Sequence, residues 1–147
     1  MGCVADILRE KPDQALHTIH PRASVLTATQ QMNAAGIGAI LVMDDDEMLV
    51  GIFTERDVLR RVIAAELLPA SIPVGDVMTN EVACCAPETS VDDARSIFRQ
   101  YRVRHLPVID RDGNVVGLIS IGDLNAHLSN HQEVTIHYLH EYMLGRV

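Results

Sequence analysis

An internal repeat is the feature of this sequence that most restricts its possible folds. Shifting the chain along itself by 66 positions aligns residues 21–59 with residues 87–125 without a gap, and ten of the aligned residues are identical. The preceding segments, residues 4–8 and 74–78, also correspond, at a shift of 70. Chance rarely produces such agreement in one register, so the chain is predicted to fold as two similar units.

Each unit is predicted to have the element order β-α-β-β-α. Ser24 and Ser90 are favourable N-caps for one helix in each unit, and Thr54 and Ser120 for the last helix of each. Acidic or glycine-containing turns separate the two β-branched runs that follow the first helix, which is typical of a hairpin. The predicted strands cover residues 39–43, 49–53, 106–109 and 115–119, with one further short strand ending at His20 and another at Ala86.

The two units are expected to pack together, because a three-stranded unit of this size cannot bury its own sheet. The predicted fold class is therefore α/β (α+β), with two repeats about a pseudo-twofold axis and a helix at the C-terminus. The expected boundaries are residues 4–66 for the first repeat, 67–73 for a linker, 74–129 for the second repeat and 130–147 for the tail. Ile136, Leu139 and Met143 of the tail share one helical stripe, which is expected to pack on its own chain or on a second copy.

Composition excludes several classes of partner. A formal charge of −8 and the absence of tryptophan disfavour nucleic acid, which needs positive surface and often aromatic rings. The longest clearly apolar stretch, residues 34–43, is about half of a membrane-spanning helix, so no membrane association is expected. Three cysteines form no disulfide framework, and no targeting segment or lipid anchor is readable, so the expected location is cytoplasmic.

A Gly-h-h-[Ser/Thr]-x-x-Asp signature, in which h is apolar, occurs once in each repeat, ending at Asp57 and at Asp123. One interpretation is structural: Thr54 and Ser120 cap a helix, and the acid three residues later completes a capping box. The other is functional, because a helix start just beyond a strand offers N–H groups to a phosphate, with hydroxyl and carboxylate groups for phosphate or ribose. Gly51 and Gly117 would permit close backbone approach, which favours the functional interpretation.

Two copies of this signature, each after an apolar-Val-Asp strand end, resemble a tandem pair of cystathionine-β-synthase (CBS) domains over residues 4–128. The run from Arg104 to Asp110 is similar to that of small stand-alone bacterial two-CBS proteins. The resemblance implies a non-catalytic regulatory module that binds AMP, ADP, ATP, NAD(H) or another adenosine ligand between its repeats. It also implies a homodimer that acts on a regulated protein not named by the sequence. The alternative is a protein-protein adaptor with vestigial clefts.

Candidate ligand-binding residues follow from the resemblance, position by position. Asp57 and Asp123 would bind ribose hydroxyls, and Thr54 and Ser120 the phosphate or ribose. Adenine would contact the residues that begin or edge the strands, which are Thr18, Ile19, His20, Gly38, Ala39, Ile40, Cys84, Cys85, Leu106 and Pro107.

Positive charge distinguishes the two repeats at these positions. The second repeat has Arg102, Arg104 and His105 where the first has Gly36, Gly38 and Ala39, whereas Arg56 of the first aligns with Gly122 of the second. The predicted clefts are therefore not equivalent, and a guanidinium can bind phosphate through two hydrogen bonds. For Arg102 and Arg104, simple solvation at a strand entrance is the alternative, and Arg60 and Arg61 are expected to be surface residues of a helix.

Other motifs carry less functional information. The spacing of His137 and His140 suits two metal ligands on a helix, but no cysteine or carboxylate set at a recognised spacing completes a site, so no metal is expected. Cys84 and Cys85 are adjacent and belong to no Cys-x-x-Cys motif, so redox chemistry is not expected. The sequence contains neither a Gly-x-Ser-x-Gly motif nor a phosphate loop with lysine, and no catalytic activity is predicted.

Overall fold

The repeat is visible in the structure as two small sheets, each flanked by helices. The computed structural model describes residues 2–131. Its elements are α1 (Val4–Glu10), β1 (Thr18–Ile19), α2 (Val25–Ala35), β2 (Ala39–Met43), β3 (Leu49–Thr54), α3 (Glu55–Asp57, continued by π-helical turns over Val58–Ile63), a 3-10 turn (Pro69–Ser71), α4 (Val74–Val77), α5 (Val91–Tyr101), β4 (His105–Ile109), β5 (Val115–Ser120) and α6 (Ile121–His131). The pairs α2 and α5, β2 and β4, and β3 and β5 are each separated by 66 residues, which confirms the predicted repeat.

The two sheets share an antiparallel strand pair and differ in their third strand. In the first, β2 pairs with β1 in parallel and with β3 antiparallel. In the second, β4 and β5 pair antiparallel, and the predicted third strand is reduced to a single parallel bridge between Cys85 and Val108. Thr79, a few residues earlier, instead bridges Ile52 of β3, so the start of the second repeat is attached to the sheet of the first.

Side-chain caps fix the helix starts that the sequence predicts. The Ser24 and Ser90 side chains accept hydrogen bonds from the backbone N–H groups of Thr27 and Asp93, at the starts of α2 and α5. Each cap satisfies an N–H group that has no partner within its helix. Ser24 therefore sets the start of α2 one residue after the cap, and Ser90 does the same for α5.

The core is divided into three clusters by the pleat of the strands. Ile40 and Val42 of β2 face the helices of the first repeat, whereas Ala39 and Leu41 point to the opposite face. On that opposite face they pack with apolar residues of the second repeat, among them Leu118. This alternation gives β2 two buried faces, as expected for a sheet held between helices and a second sheet. The prediction that the two repeats bury each other's sheets is confirmed.

The first helix of each repeat, α1 or α4, packs on the core of the other repeat. Val4 and Ile7 of α1 are buried in the core of the second repeat, and Val74 of α4 is buried in the core of the first. A Cβ atom added at Gly51 would lie 2.5 Å from the Met78 sulfur, and one at Gly117 would lie 2.6 Å from a Leu8 methyl group. The two glycines therefore leave room for the exchanged segments. This packing explains why glycine occurs at both positions, and no ligand is needed to explain it.

The structure adds short helices that the sequence did not predict, α1, α4 and the 3-10 turn, and it alters one predicted helix. The last helix of the first repeat is a short α-helical turn continued by π-helical turns that end at Ile63. The predicted tail helix with Ile136, Leu139 and Met143, together with His137 and His140, lies outside the described residues. Among residues 2–131, none of the helices combines the length and apolar character that crossing a bilayer requires.

Candidate functional site: two clefts between the repeats

Each signature lies in a cleft whose other wall comes from the opposite repeat. Cleft A, of about 380 Å³, contains Ser120 and Asp123 and is closed by residues 11–17 and 35–39. Cleft B, of about 550 Å³, contains Thr54 and Asp57 and is closed by Thr79 and residues 102–105. The two clefts use equivalent positions of the two repeats, and both volumes fall in the usual range for small-molecule sites.

Both signatures form capping boxes. The backbone N–H of Thr54 donates to Asp57 Oδ2 at 3.0 Å, and the N–H of Asp57 donates to Thr54 Oγ1 at 3.2 Å. The equivalent distances between Ser120 and Asp123 are 2.8 and 3.0 Å. The structural interpretation of the signature is thus confirmed. It does not exclude ligand binding, because an ionised carboxylate has about four lone-pair sites and each box uses only part of them.

Asp57 is held more tightly than Asp123. It is 6% exposed, and its Oδ1 also accepts from the Thr79 hydroxyl at 3.3 Å and lies 3.6 Å from Arg61 Nε. Arg61 in turn donates to the Met78 carbonyl at 2.9 Å. This network joins the signature of the first repeat to the segment that begins the second, so the position of the Asp57 carboxylate depends on both repeats.

Cleft B concentrates positive charge. Of the described residues that line it, five are arginines and two are acids, Glu55 and Asp57. The arginines come from α3 and its π-helical continuation and from the entrance to β4; they are Arg56, Arg60, Arg61, Arg102 and Arg104. In a chain with a formal charge of −8, this local excess makes cleft B suited to an anion. The arginines at 102 and 104 are therefore grouped with others and do not stand alone in solvent.

Cleft A has its signature carboxylate bound by the chain's own lysine. Lys11 Nζ lies 3.0 Å from Asp123 Oδ2 and donates to the Leu118 carbonyl at 2.6 Å. Both side chains are about three-quarters buried, with exposures of 24% for Lys11 and 22% for Asp123. A ligand that uses Asp123 must therefore share the carboxylate with this ammonium group or displace it.

His105 lies between the clefts and lines both. Burial lowers the pKa of its imidazole below the ordinary value of 6.5, and the adjacent Arg104 guanidinium lowers it further. His105 is therefore uncharged at neutral pH and offers a hydrogen bond without adding a charge.

The predicted site residues divide into two groups. Those in the clefts are Gly38, Ala39, Thr54, Arg56, Asp57, Arg104, His105, Ser120 and Asp123. The other adenine-contact candidates do not line either cleft. Ile19, Ile40, Cys85 and Leu106 are buried in the cores, Pro107 is buried, Thr18 lines a shallow groove beside α2, Cys84 is exposed, and the His20 imidazole lies 2.9 Å from an Asp45 carboxylate oxygen.

Several cleft residues were not identified from the sequence as site candidates. Arg60 and Arg61 are exposed helical residues, as predicted, but they also line cleft B, which they reach because they follow Asp57 by three and four positions. Residues three and four positions apart lie on the same face of a helix, so this spacing could have identified both arginines from the sequence. Lys11, His17 and Thr79 come from segments outside the aligned repeat core, and no pattern in the sequence marks them.

The surroundings of the two adjacent cysteines disfavour the thiolate form. Burial raises the pKa of the Cys84 thiol and, together with the neighbouring Cys84, raises the pKa of Cys85 to about 12. The Cys85 sulfur lies 3.8 Å from the Pro107 carbonyl oxygen, inside the second core. Because the thiolate is the reactive form, a raised pKa makes a thiol less reactive at neutral pH, and this effect is stronger for the buried Cys85 than for the exposed Cys84.

Comparison with known proteins agrees with this architecture. A family model for the CBS domain matches the chain twice, over residues 4–64 and 74–130. The chain is 35% identical over 126 residues to the CBS domain-containing protein CBSX3, mitochondrial, of Arabidopsis thaliana, an alignment that covers 83% of this chain and 61% of that protein. The chain thus accounts for only about three fifths of the length of that plant relative.

Two solved structures extend the comparison. A CBS-domain protein from Burkholderia ambifaria MC40-6 superimposes with a TM-score of 0.81 at 39% identity, covering 86% of this chain and 93% of that one. CBSX2, solved in complex with AMP, superimposes with a TM-score of 0.74 at 26% identity, covering 90% of this chain and 99% of that one. With both repeats matched and the paired clefts in place, the chain belongs to the CBS domain family and carries two CBS domains.

Proposed function

We propose that the chain is a non-catalytic regulatory module that binds an adenosine nucleotide, such as AMP, ADP, ATP or NAD(H), in cleft B. The observation that carries this proposal is the set of five arginines around the Thr54 and Asp57 signature in an acidic chain. Phosphate suits such a cluster, because each guanidinium can donate two parallel hydrogen bonds to it and several arginines can share its charge. The AMP complex of CBSX2 supports the choice of an adenine nucleotide.

Each part of the nucleotide has a suitable surface in cleft B. The Asp57 carboxylate already accepts from the Thr54 N–H, the Thr54 hydroxyl and the Thr79 hydroxyl, which leaves about one acceptor position for a ribose hydroxyl. Apolar side chains of Ile52, Val103 and Ile121 line the same cleft and can pack against adenine. In this proposal Arg104 binds the phosphate, and His105 contacts the ligand as a neutral group.

Cleft A is proposed as a weaker second site. Its described lining holds one lysine against two aspartates, Asp13 and Asp123, so it offers less positive charge than cleft B. The contact of Lys11 with Asp123 must also open before a ribose can occupy that carboxylate. One strong and one weak binding event per chain are expected.

Regulation follows from the position of the clefts between the repeats. A ligand in cleft B contacts α3 of the first repeat and the entrance to β4 of the second, so its binding energy depends on their relative arrangement. The ligand can shift that arrangement only by its differential affinity for the two states. A regulated protein would recognise the surface that this change in arrangement presents.

The assembly proposed for the module is a homodimer. Leu59 and Ile63, one helical turn apart on the π-helical segment, are 63% and 55% exposed. Apolar side chains so exposed on a helix are favourable contacts for a second copy. Light scattering should give twice the chain mass, and charged substitutions at both positions should reduce it to a single chain. A single-chain mass for the unaltered protein would contradict the homodimer.

A thermal-shift titration with AMP, ADP, ATP, NAD, NADH and S-adenosylmethionine tests the proposed function. A ligand at about 100 times its Kd stabilises the native state by about 2.7 kcal/mol, which raises the Tm by several degrees for a chain of this size. Selective stabilisation, with each nucleotide recovered intact by chromatography, is expected. If no ligand shifts the Tm and none co-purifies by mass spectrometry, the adaptor function replaces nucleotide binding.

A further inference from the structure

A cluster of two histidines and one glutamate lies outside both clefts, where α1 meets α6. Glu10 is at the end of α1, and His127 and His131 are one turn apart on α6. The His127 Nδ1 atom lies 2.8 Å from Glu10 Oε2, and His131 Nε2 lies 2.7 Å from Glu10 Oε1. The two residues of α6 thus converge on one carboxylate that is more than 110 positions away in the chain.

The donor set and its geometry match those of a transition-metal site. One ligand atom from each of the three residues lies within 4.8 Å of the other two. Two histidines four positions apart on a helix plus one carboxylate is a ligand set that zinc uses with one position left open. Metal–ligand bonds of 2.0–2.1 Å place tetrahedral ligand atoms about 3.3 Å apart. The two contacts to Glu10, which now involve its two different oxygen atoms, would lengthen by about half an ångström, and the two imidazole nitrogens, now within 4.8 Å of each other, would settle at that same separation.

The surroundings allow that adjustment. His131 is 54% exposed and can move at little cost, whereas His127 is 2% exposed and is fixed by the core around it. The cavity in front of the cluster is open and leaves space for a water molecule as fourth ligand. It is also lined by Gly2 and by the ion pair of Asp6 with Arg9. The negative net charge of the chain further favours a cation.

We propose that Glu10, His127 and His131 bind a divalent transition-metal ion of the zinc class, with a water molecule completing the site. The ion would replace the two hydrogen bonds to Glu10 by three coordinate bonds and would fix α1 to α6. This joins the first helix of the described chain to the last one. The proposal does not rest on nucleotide binding, and either can fail without the other.

Metal titration of the full chain tests the site. Protein stripped with a chelator and then freed of it is titrated with zinc against a chromogenic competitor, and with cobalt to observe the visible absorption of a tetrahedral site. One equivalent per chain, with a rise in Tm, is expected. Absence of binding at micromolar zinc would overturn the proposal, and the two hydrogen bonds to Glu10 would then be the whole function of the cluster.

Matched variants locate the site. Glu10→Gln and His131→Ala each remove one ligand at a partly exposed position and should weaken zinc binding at least about 10-fold, with Tm measurements in chelator confirming that both variants fold. His20→Ala is the control, because His20 contacts a single carboxylate, Asp45, at 2.9 Å, and it should bind zinc as the unaltered chain does. Equal affinity in Glu10→Gln and the unaltered chain would overturn the assignment.

A further variant separates this cluster from the histidines of the tail. His137→Ala combined with His140→Ala should retain one equivalent of zinc. Loss of binding in that double variant, with binding retained in Glu10→Gln, would place the metal at the tail and overturn the proposal.

Discussion

Arg102 occupies in the second repeat the left-handed backbone position that Gly36 occupies in the first. Their φ angles are 53° and 67°, and each residue ends the equivalent helix, α5 or α2. Glycine adopts this conformation without cost, whereas a residue with a Cβ atom is strained there by roughly 1–2 kcal/mol. Glu47 and Glu66 have similar φ angles of 59° and 58°, but of these three residues Arg102 alone lines one of the two clefts.

Replacing Arg102 by the residue at the aligned position separates strain from function. Arg102→Gly should stabilise the fold by up to about 1 kcal/mol, since the relieved strain is partly offset by the greater chain entropy of glycine. The same variant should weaken nucleotide binding because one arginine of cleft B is lost. Chemical denaturation and calorimetry measure the two effects, and a variant that is destabilised and binds normally would show that Arg102 has no role in the cleft.

Asp57→Asn tests the ribose contact without removing the helix cap. The amide oxygen can still accept from the Thr54 N–H, so the helix cap is retained, whereas the contacts of Oδ1 with the Thr79 hydroxyl and Arg61 are weakened and the Tm should fall modestly. Loss of a charged acceptor costs about 1.5–3 kcal/mol, which corresponds to a roughly 10- to 100-fold weaker nucleotide affinity by calorimetry.

The matched control is Asp123→Asn in cleft A, where Lys11 already occupies the carboxylate. Its effect on the tighter binding event should be less than about 3-fold. If the effects of the two variants were reversed, cleft A would be the principal site.

Lys11→Met tests whether the lysine restricts cleft A. The change frees the Asp123 carboxylate and keeps the apolar part of the side chain. Adenosine has no phosphate that the lysine could bind, so the variant should bind adenosine more strongly in cleft A, as a second site. The expected stoichiometry at high adenosine concentration rises toward two per chain. Arg9→Met is the control, because Arg9 is a 71% exposed cation on α1 outside both clefts. No gain in Lys11→Met would show that the lysine does not limit access.

The buried His105 predicts a loss of stability on mild acidification. Its pKa is lowered in the folded state, mainly by burial, so below pH 6.5 the unfolded chain binds a proton that the folded chain does not. The free energy of unfolding should therefore fall as the pH decreases from 7.5 to 5.5, and the fall should be smaller in His105→Gln.

Glu10 does not contribute to the loss of stability between pH 7.5 and 5.5. Its hydrogen bonds with His131 and His127 lower its pKa below 4.5, so the stability it adds is lost only in stronger acid. Denaturant titrations at several pH values measure how steeply the free energy of unfolding changes with pH. Identical slopes for the unaltered chain and His105→Gln would contradict the assignment of the mild-acid loss to His105.

The sequence predicted the fold because its signals are local and occur twice. Ser24 and Ser90 cap their helices, and the aligned strands β2 and β4 have the expected positions, since capping and apolar alternation depend only on near neighbours. The capping boxes of Asp57 and Asp123 are local in the same way.

Residues brought in from distant segments were missed for the opposite reason. Lys11 reaches Asp123 across 112 positions, and Glu10 reaches His127 across 117, because α1 packs on the second repeat and not on its own. A repeat alignment compares equivalent positions, and it contains no information on which copy a leading helix will join. The side chains of Ile19 and Leu106, which are predicted adenine contacts, are buried in the cores of the repeats.

Calorimetric titration of the unaltered chain with AMP and with adenosine tests the central claim most directly, because the two ligands differ only in the phosphate that the arginines of cleft B are proposed to bind. The account predicts that AMP binds at least about 10-fold more tightly than adenosine, a difference of about 1.4 kcal/mol, and that Arg104→Ala removes most of this difference. Equal affinities for AMP and adenosine, or no binding of either, would contradict it.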